Sequence, residues 1–330
     1  MASNIYHSIG VDIGGTKIAF GVFDIHGNIK DDIHIIPVPF DKKKVADVHS
    51  IIDSITPFVE NAKKYYPLLA GIGLSICGNV NKENGEATLI PNLHWRYVPI
   101  GTMVKDAFNL PVFAGTDVRA AIIAERLWGV AKNSRFFLWC TVGTGFGGYL
   151  FLDGKLYDGY HGFAGPFGHT IWDEDGFPCG CGQRGCFETF VAGPAIARAG
   201  QAAVDAGHSP IMATLSNGER VTTHVVIQAF HQKDPAALSI IEQVARLIAI
   251  NLSGVVNTLD LEMIIMGGGV IQACPELVER VDHYIRKFLM SEELKRDLKI
   301  YKESFINSAL YGAAADVFLR SALINDDIGA

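Results

Sequence analysis

The chain has 330 residues, of which 49% are hydrophobic and 19% are charged, a balance typical of a globular protein. Two lobes are expected at this length, because a domain commonly contains about 100–200 residues. The net charge is −7 and no basic run exceeds Lys42–Lys44, which argues against nucleic acid or an anionic membrane as the main partner.

The N-terminus leads almost directly into a strand-like run, Ile5 to Ile13. A basic segment, an apolar stretch and a small-residue cleavage site are not found before it, so no signal peptide is predicted. The sequence contains no run of about 18 uninterrupted apolar residues, so no membrane span is predicted. We therefore expect a cytoplasmic protein whose six cysteines stay reduced, so that a cluster of them favours a metal over disulfides.

The first half of the chain predicts alternating strands and helices. Apolar residues recur every three or four positions from Val45 to Tyr66, which predicts a helix with a kink or break at Pro57. Short apolar strands are predicted at Leu69–Cys77 and Pro111–Gly115, and helical spacing resumes from Asp117 to Trp128. Asp117 is thus expected at a strand-to-helix junction, where open α/β folds position ligand contacts.

The order strand, glycine turn, strand occurs twice. It is found first around Gly14–Gly15, and again in Phe136–Val142, Gly143–Gly148 and Tyr149–Leu152. This repetition suggests a duplicated unit.

The second half of the chain is predicted to be mainly helical. Pro235–Leu259 has Asp234 as its expected N-cap, and further helices are predicted at Pro275–Met290 and Ser308–Leu323. Met263–Met266 is predicted as a buried strand.

Both glycine turns are candidates for phosphate binding, because glycine permits a positive φ and lets backbone N–H groups converge on an anion. Thr16 and Thr144 would add hydroxyl donors, Lys17 a positive charge, and Asp12 a ligand for Mg2+ through water. Either turn alone is more often an ordinary hairpin.

Two further glycine patterns could be read as nucleotide-binding motifs. Gly143, Gly145 and Gly148 match the dinucleotide spacing GxGxxG, but that motif requires a following helix, whereas a strand is predicted here. Gly267–Gly269 follows a buried strand and is a third candidate, near a nucleotide base; by itself such a turn is more often structural.

A metal site is predicted from the pattern H-x9-C-x-C-x4-C, formed by His169, Cys179, Cys181 and Cys186. Four nitrogen and sulfur ligands suit tetrahedral Zn2+, and glycines between the cysteines permit tight turns. Because four protein ligands leave no open position, the site is expected to be structural. Free buried cysteines and redox chemistry are the alternatives.

Asp117 is the candidate general base. A sugar hydroxyl is a poor nucleophile, and a carboxylate within hydrogen-bond reach can take its proton during phosphoryl transfer. The alternative is that Asp117 only caps its helix. The two glycine turns and the cysteine cluster in the same chain favour catalysis.

Together these residues resemble the ROK family of bacterial sugar kinases and repressors, a branch of the actin-like ATPase fold. The resemblance covers essentially the whole chain and is carried by Asp12–Lys17, Thr141–Gly148, Gly165–His169 and Cys179–Glu188. It implies an α/β, two-lobed, ribonuclease H-like structure with a nucleotide and sugar cleft between the lobes. Residues 1–116 with about 305–330 would form the small lobe, and residues 117–304 the large lobe with the zinc knuckle at 169–186.

The resemblance also implies Mg-ATP-dependent phosphorylation of a sugar, with O6 of a hexose or hexose derivative as the expected acceptor, and a homodimer or homotetramer. ATP and its phosphates would be bound by Asp12, Gly14, Gly15, Thr16, Lys17, Thr141, Gly143, Thr144, Gly145, Gly267, Gly268 and Gly269. The sugar would be contacted by Gly78, Asn79, Asn92, Thr116, Asp117, His169 and Glu188.

Two positions depart from the family pattern. Family kinases usually carry Asn before the catalytic Asp, where this chain has Thr116, and Glu three residues before the zinc His, where it has Pro166. Both positions normally hydrogen-bond sugar hydroxyls, and losing such a contact shifts specificity. The substrate is therefore expected to be a modified or differently configured sugar, or a related polyol, rather than plain glucose.

The alternatives to a kinase are a transcriptional repressor of the family and a catalytically weak sugar-binding or sensing protein. Repressors of the family carry a helix-turn-helix module before the first phosphate motif, and the 11 residues before Asp12 are too few for one. A catalytically weak sugar-binding or sensing protein is suggested by Thr116 and Pro166, but Asp117, Glu188 and both glycine turns are retained.

Overall fold

The computed structural model describes residues 5–162 and 164–324. Its strands are β1 (His7–Ile13), β2 (Lys17–Asp24), β3 (His34–Pro37), β4 (Leu69–Ile76), β5 (Asn79–Asn81), β6 (Glu86–Ile90), β7 (Trp95–Val98), β8 (Val112–Thr116), β9 (Phe137–Val142), β10 (Phe146–Leu152), β11 (Lys155–Tyr157), β12 (Met263–Gly267) and β13 (Lys299–Lys302). Its helices are α1 (Val48–Tyr65), α2 (Ile100–Phe108), α3 (Asp117–Leu127), α4 (Glu188–Val191), α5 (Gly193–Asp205), α6 (Pro210–Leu215), α7 (Thr223–His231), α8 (Pro235–Leu259), α9 (Gly269–Ala273), α10 (Glu276–Ile285), α11 (Glu292–Asp297) and α12 (Ser308–Arg320).

The chain divides into two compact units. The first contains residues up to Asn133 and from Ser304 onward, and the second runs from Ser134 to Glu303. The predicted boundary at residue 117 therefore lies too early, because α3 packs against α12 within the first unit. The contact is so close that a methyl group on Gly312 would lie 1.6 Å from the carbonyl oxygen of Ala120.

The first unit is built on a five-stranded sheet with the order β3-β2-β1-β4-β8. The antiparallel hairpins β1–β2 and β2–β3 are followed by the parallel pairs β1–β4 and β4–β8. In register, Ile13 pairs with Ile76 and Ile76 with Thr116, so the carboxyl ends of the three parallel strands share one edge. A separate three-stranded sheet, β5-β6-β7, completes the unit.

The second unit repeats the topology of the first. Its sheet has the order β11-β10-β9-β12-β13, with β9–β10 and β10–β11 antiparallel and β9–β12 and β12–β13 parallel. When the strands are numbered within each large sheet, both sheets therefore have the order 3-2-1-4-5. The repetition of strand, glycine turn and strand in the sequence thus corresponds to a repetition of the whole sheet topology.

The long helices follow the apolar periodicity of the sequence. Helix α8 has the predicted bounds, and Asp234 caps it by accepting a hydrogen bond from the Ala237 N–H at 2.9 Å. Of the predicted kink or break at Pro57, the break is wrong: α1 continues through this residue, because Ile51, Ile55 and Val59 are buried and hold both halves against the core.

Helix α8 is long and apolar enough to cross a membrane by length and composition alone. Its apolar residues Ile241, Ile248 and Leu252, however, are fully buried, and the helix packs against α5 and α10. It is therefore the central core helix of the second unit.

Candidate active site

Two carboxylates lie at the edge where the parallel strands of the first sheet end. Asp12 stands near the end of β1 and accepts a hydrogen bond from the Ser75 hydroxyl at 2.8 Å, and Asp117 directly follows β8. Burial, followed by the nearby charge of Asp117, raises the pKa of Asp12 to about 6. Burial also raises the pKa of Asp117. Partly desolvated carboxylates close to one another are suited to holding a cation and accepting a proton.

Asp117 is not the cap of its helix. The N-cap of α3 is Thr116, whose hydroxyl oxygen accepts from the Arg119 N–H at 3.3 Å. Asp117 occupies the first helical position, where its Oδ1 accepts from the Val118 N–H at 2.9 Å. Thr116 thus fixes the start of the helix and leaves the neighbouring carboxylate at the strand end.

The first glycine turn connects β1 to β2. The Gly14 N–H donates to the carbonyl oxygen of Lys17 at 3.0 Å, and Thr16 and Lys17 are exposed. A methyl group on Gly15 would lie 3.0 Å from the Cβ of Asn92. Asn92, an exposed residue predicted to contact the sugar, therefore lies beside the predicted phosphate turn.

Gly78 and Asn79 follow β4 at the same sheet edge as Asp12 and Asp117. Gly78 has a φ of 145°, and a methyl group there would lie 2.8 Å from the Cδ1 of Ile90, so only glycine fits. Asn79 is exposed and begins β5. The predicted site residues of the first unit therefore lie at or beside this one edge of the sheet.

The other two glycine turns meet in the second unit. Thr141 on β9 pairs with Gly267 on β12, so the turns that follow these strands lie at the same edge. A methyl group on Gly143 would lie 3.8 Å from the Gly269 nitrogen, and one on Gly268 would lie 2.3 Å from Thr141 Oγ1. The Gly143 N–H donates to the carbonyl oxygen of Gly145 at 2.9 Å.

Close approach constrains Gly15, Gly145 and Gly267, where a methyl group would lie 3.0 Å or less from a neighbouring atom. At Gly143 and Gly269 a methyl group would meet no atom closer than 3.8 Å. Of the glycines predicted to bind phosphate or nucleotide, only Gly268 has a positive φ, at 92°. The positive φ expected at Gly14, Gly15, Gly143 and Gly145 is not found. A side chain on Gly145, for example, would lie 2.9 Å from Oε2 of Glu188.

A cavity of about 720 Å³ opens beside the two turns of the second unit. Its size lies within the range of small-molecule sites. Its lining is largely apolar with a few polar and basic side chains, and it is formed by Gly143, Thr144, Gly193, Pro194, Ala197, Arg198, Gln201, Arg220, Val221, Thr222, Thr223, His224, Ile227, Gly269, Val270 and Ala273. The glycines therefore form one wall of a pocket that could hold the base and sugar of a nucleotide.

The four predicted zinc ligands come together. Their ligand atoms all lie within 4.8 Å of one another, with 3.6 Å between Cys179 Sγ and His169 Nδ1 and 3.6 Å between Cys181 Sγ and Cys186 Sγ. Bond lengths to zinc of about 2.3 Å for sulfur and 2.0–2.1 Å for nitrogen place tetrahedral ligands about 3.6–3.8 Å apart. The donor set and its spacing therefore fit Zn2+.

Backbone turns hold this group in place. Gly182 and Gly185 have φ values of 93° and 66°, and a methyl group on Gly185 would lie 1.4 Å from the Asp173 carbonyl oxygen. The N–H group of Gln183 lowers the pKa of the Cys181 thiol, whereas burial raises the pKa of the Cys179 and Cys186 thiols.

Glu188 connects the cysteine group to the second glycine turn. Its Oε1 accepts a hydrogen bond from the Cys179 thiol at 2.9 Å and lies 3.8 Å from Nδ1 of His169. Its Oε2 accepts from the Phe146 N–H at 3.3 Å, immediately after that turn. A disturbance of the cysteine loop would therefore reach the Gly143–Gly145 turn through one side chain.

Comparison with known proteins decides the family. Residues 8–319 match the ROK family. The chain is a member of the ROK family. It is 30% identical to the glucokinase of Streptomyces coelicolor, over 94% of this chain and 96% of that protein. It is 26% identical to the xylose repressor of Bacillus spizizenii, over 83% of this chain and 67% of the repressor.

A crystal structure of a ROK family glucokinase from Streptomyces griseus, in complex with glucose and AMPPNP, matches this chain with a TM-score of 0.79. The two are 29% identical, and the match covers 93% of this chain and 98% of that one. These findings confirm the predicted family and its two-lobed, actin-like α/β fold.

The departure of this ROK protein at Pro166 is visible in the loop that carries His169. Pro166 is exposed, and its carbonyl oxygen accepts from the His169 N–H at 2.9 Å in a short 3-10 turn. It supplies neither a carboxylate nor an N–H group in this turn. Pro166 therefore contributes a backbone carbonyl to this turn and no polar side chain.

Some residues that build the site were not foreseen. Ser75 holds Asp12, and Glu303 accepts from the Gly268 N–H at 3.1 Å and from Gln272 Nε2 at 3.0 Å. Ser75 left a signal, since it is a polar residue inside the apolar run Leu69–Ile76, whereas Glu303 follows the largely exposed Lys299–Lys302 and left none. Arg220 and His224, which line the cavity, left no signal, because exposed helix and loop residues commonly look like them.

Proposed function

We propose that this ROK protein transfers the terminal phosphate of Mg-ATP to a sugar hydroxyl, with Asp117 as the general base. As predicted, the chain is a sugar kinase by class, given its likeness to glucokinases over nearly its full length. The observation that carries the residue assignment is the position of Asp117 at the strand end next to Asp12.

Asp117 would accept the proton of the attacking hydroxyl. Its raised pKa, caused by burial, makes the carboxylate a better proton acceptor than an exposed aspartate. The hydrogen bond from the Val118 N–H and the cap at Thr116 hold the group in one orientation. Little covalent chemistry is needed in phosphoryl transfer, so such positioning accounts for much of the rate.

Asp12 would hold Mg2+ through water. Mg2+ prefers oxygen ligands and keeps several of its waters, so one fixed carboxylate suffices. The Ser75 hydroxyl orients that carboxylate, and the exposed Thr16 and Lys17 follow it in the next turn. The Gly14–Lys17 turn would thus bind the phosphates that the ion neutralises.

The second unit would bind the rest of the nucleotide. The turn at Gly143–Gly145 offers backbone N–H groups to phosphate, and the cavity beside Gly269 has the size and apolar lining that a nucleoside requires. The glucokinase from Streptomyces griseus was crystallised with the ATP analogue AMPPNP, which supports the assignment of ATP.

The cysteine group would hold a structural Zn2+ through His169, Cys179, Cys181 and Cys186. Bound zinc would supply rigidity, because four protein ligands fill its coordination. Glu188 follows the ligand Cys186 by two residues and accepts from the Phe146 N–H, so this rigidity would extend to the Gly143–Gly145 turn. We further propose that His169 and Glu188 contact the sugar.

The substrate is proposed to be a hexose derivative or a related polyol, phosphorylated at O6 where that hydroxyl exists. Pro166 and Thr116 lack the carboxylate and amide that would bind hydroxyls of unmodified glucose. A site that lacks a polar partner for one hydroxyl leaves that group unpaired, which disfavours the sugar carrying it.

A coupled assay of ADP release over hexoses, amino sugars, N-acetylhexosamines, ketoses and inositols tests this proposal. We expect turnover with a modified sugar above the rate without sugar, and a Pro166→Glu variant that gains activity with glucose relative to the wild type. Clear preference of the wild type for glucose would refute the substrate assignment. Sugar binding without turnover of any sugar would favour a binding or sensing protein.

We propose a cytoplasmic homodimer or homotetramer that binds neither nucleic acid nor membranes, consistent with the net charge of −7. Light scattering would give the mass of the assembly. A monomer, or retention of the protein on DNA at physiological salt, would contradict this part.

A further inference from the structure

A second cluster of metal-ligating side chains lies in the second unit, apart from the cysteine knuckle. His231, Cys274 and Glu276 offer one ligand atom each, and these atoms all lie within 4.8 Å of one another. His231 is the last residue of α7, Cys274 follows α9, and Glu276 opens α10. The end of α7 and the short α9–α10 connection, which are distant in sequence, therefore converge on one point with nitrogen, sulfur and oxygen donors.

The backbone around the cluster is firmly held. The Cys274 N–H donates to the Val270 carbonyl oxygen at 2.8 Å, and the Leu277 N–H donates to the Cys274 carbonyl oxygen at 3.1 Å. Pro275 lies between the two ligands of this segment. Cys274 is buried, whereas the side chains of His231 and Glu276 are nearly half exposed, so an ion could enter from solvent and both could turn towards it.

A surface ion pair alone does not account for this arrangement. His231 Nε2 lies 3.6 Å from Glu276 Oε1, close to the separation of about 3.4 Å that nitrogen and oxygen ligands have on tetrahedral Zn2+. The other oxygen, Oε2, is enclosed, and no donor among the described residues forms a hydrogen bond to it. An enclosed carboxylate oxygen without a donor is costly, and a cation would satisfy it.

One positive side chain lies close to the cluster. Arg280 follows Glu276 by one helical turn, and its Nη1 donates to the Glu276 carbonyl oxygen at 3.5 Å. Its Nε lies 3.0 Å from Oε2 of Glu242, and its guanidinium stacks over the ring of Phe230, at 5.0 Å from the centroid. A carboxylate outside the cluster therefore balances part of the charge of Arg280.

We propose that His231, Cys274 and Glu276 bind a divalent transition-metal ion, with Zn2+ as the best match. Imidazole and thiolate ligands select zinc over Mg2+ or Ca2+, which prefer oxygen ligands alone. On binding, the Cys274 thiol releases its proton to solvent and a zinc–sulfur bond replaces one zinc–water bond. Three protein ligands leave the fourth position to water, as in exchangeable rather than closed sites.

The proposed metal site lies next to the wall of the 720 Å³ cavity. Ile227, one turn before His231, and Ala273, directly before Cys274, both line the 720 Å³ cavity. A bound ion would thus join the ends of two elements that form the wall of this cavity. The site is distinct from the knuckle, so its occupancy does not depend on whether the proposed kinase activity is correct.

Metal analysis of the full chain tests the proposal. The wild type, His231→Gln, Glu276→Gln and the control His208→Gln, which alters an exposed histidine outside both clusters, are equilibrated with a small excess of ZnCl2 and separated from free metal. We expect His208→Gln to match the wild type and each cluster variant to hold one zinc equivalent fewer. Equal zinc content in all four proteins would overturn the proposal.

Replacing zinc by Co2+ gives a second readout. Thiolate bound to Co2+ produces a charge-transfer absorption, and we expect Cys274→Ser to lose the part that titrates in the second equivalent. If Cys274→Ser does not fold, the two surface variants still decide the question. An unchanged second equivalent in His231→Gln would exclude this cluster as its source.

Discussion

The contact between α3 and α12 gives a prediction whose size follows from the geometry. A methyl group on Gly312 would lie 1.6 Å from the Ala120 carbonyl oxygen, whereas ordinary contact begins at 3.4 Å. Gly312→Ala would therefore force the helices apart by about 1.8 Å, because a backbone oxygen cannot rotate away. Overpacking of this kind costs about 2–3 kcal/mol, which exceeds the gain of up to about 1 kcal/mol from replacing glycine in a helix.

The expected result is a lower melting temperature together with lower activity. After this gain is subtracted, a net cost of about 1–3 kcal/mol lowers Tm by about 2–12 °C for a unit of this size. Since Asp117 is the first residue of α3, kcat should fall as well, because misplacement of a reacting group by about 1 Å can cost about 100-fold.

Gly254 provides the matched control. It is exposed within α8, and a methyl group there meets nothing within 4 Å. Gly254→Ala should raise the stability by about 0.5–1 kcal/mol, because alanine loses less backbone freedom in a helix. Calorimetry on the three proteins decides the matter: a Tm for Gly312→Ala at or above that of the wild type would refute the packing argument.

Three further predictions concern buried charge, pH and metal. Asp316→Ala removes the carboxylate 3.1 Å from the buried Arg119 guanidinium and should lower the free energy of unfolding by about 3–5 kcal/mol in denaturant titrations. Asp297→Ala, which breaks an ion pair on the exposed surface, should change this free energy little. Equal effects of the two substitutions would contradict the burial argument. Burial raises the pKa of Asp12 from 3.8 to about 6, so the native state binds this proton more tightly than the unfolded chain does. The stability of the wild type relative to Asp12→Asn should therefore fall by at most about 3 kcal/mol as pH rises from about 4 to 6. Parallel curves of stability against pH for the two proteins would contradict this prediction. A strong chelator should lower the Tm of the wild type more than that of Cys181→Ser, since metal binding is coupled to folding and the variant lacks one knuckle ligand. Equal Tm shifts would argue against the knuckle.

Much of the fold could be predicted because the local patterns are strong. The bounds of α8, with its cap at Asp234, follow from an apolar period of three to four and from proline at the first helical position. The strands β9 and β12 were predicted from short apolar runs that end in glycine. Such signals depend on neighbours in sequence, which a single sequence contains.

The errors arise where tertiary contacts decide. The helical break at Pro57 was overridden by burial of Ile51 and Val59, and the lobe boundary at residue 117 was moved by packing of α3 on Gly312. Likewise, the conformation of a glycine does not follow from its presence in a turn. Of the predicted phosphate-binding glycines, Gly15, Gly145 and Gly267 are constrained by close approach, and only Gly268 has a positive φ.

The candidate site was predicted residue by residue, but its supports were not. The four knuckle ligands have a spacing in sequence that is informative by itself, and they converge as predicted. The contact of Glu188 with Cys179 and Phe146 depends on two loops meeting, for which the sequence has no signal. The roles of Asp117 and of the glycine turns remain predictions.

Steady-state kinetics of Asp117→Asn tests the central claim most directly. The amide keeps the shape of the side chain and an oxygen that can accept from the Val118 N–H, so the fold should be preserved. We expect kcat to fall by about 100- to 10,000-fold, while sugar affinity measured by calorimetry stays within about tenfold, because only the proton acceptor is lost. Turnover at the wild-type rate in a folded Asp117→Asn protein would remove this carboxylate from the mechanism.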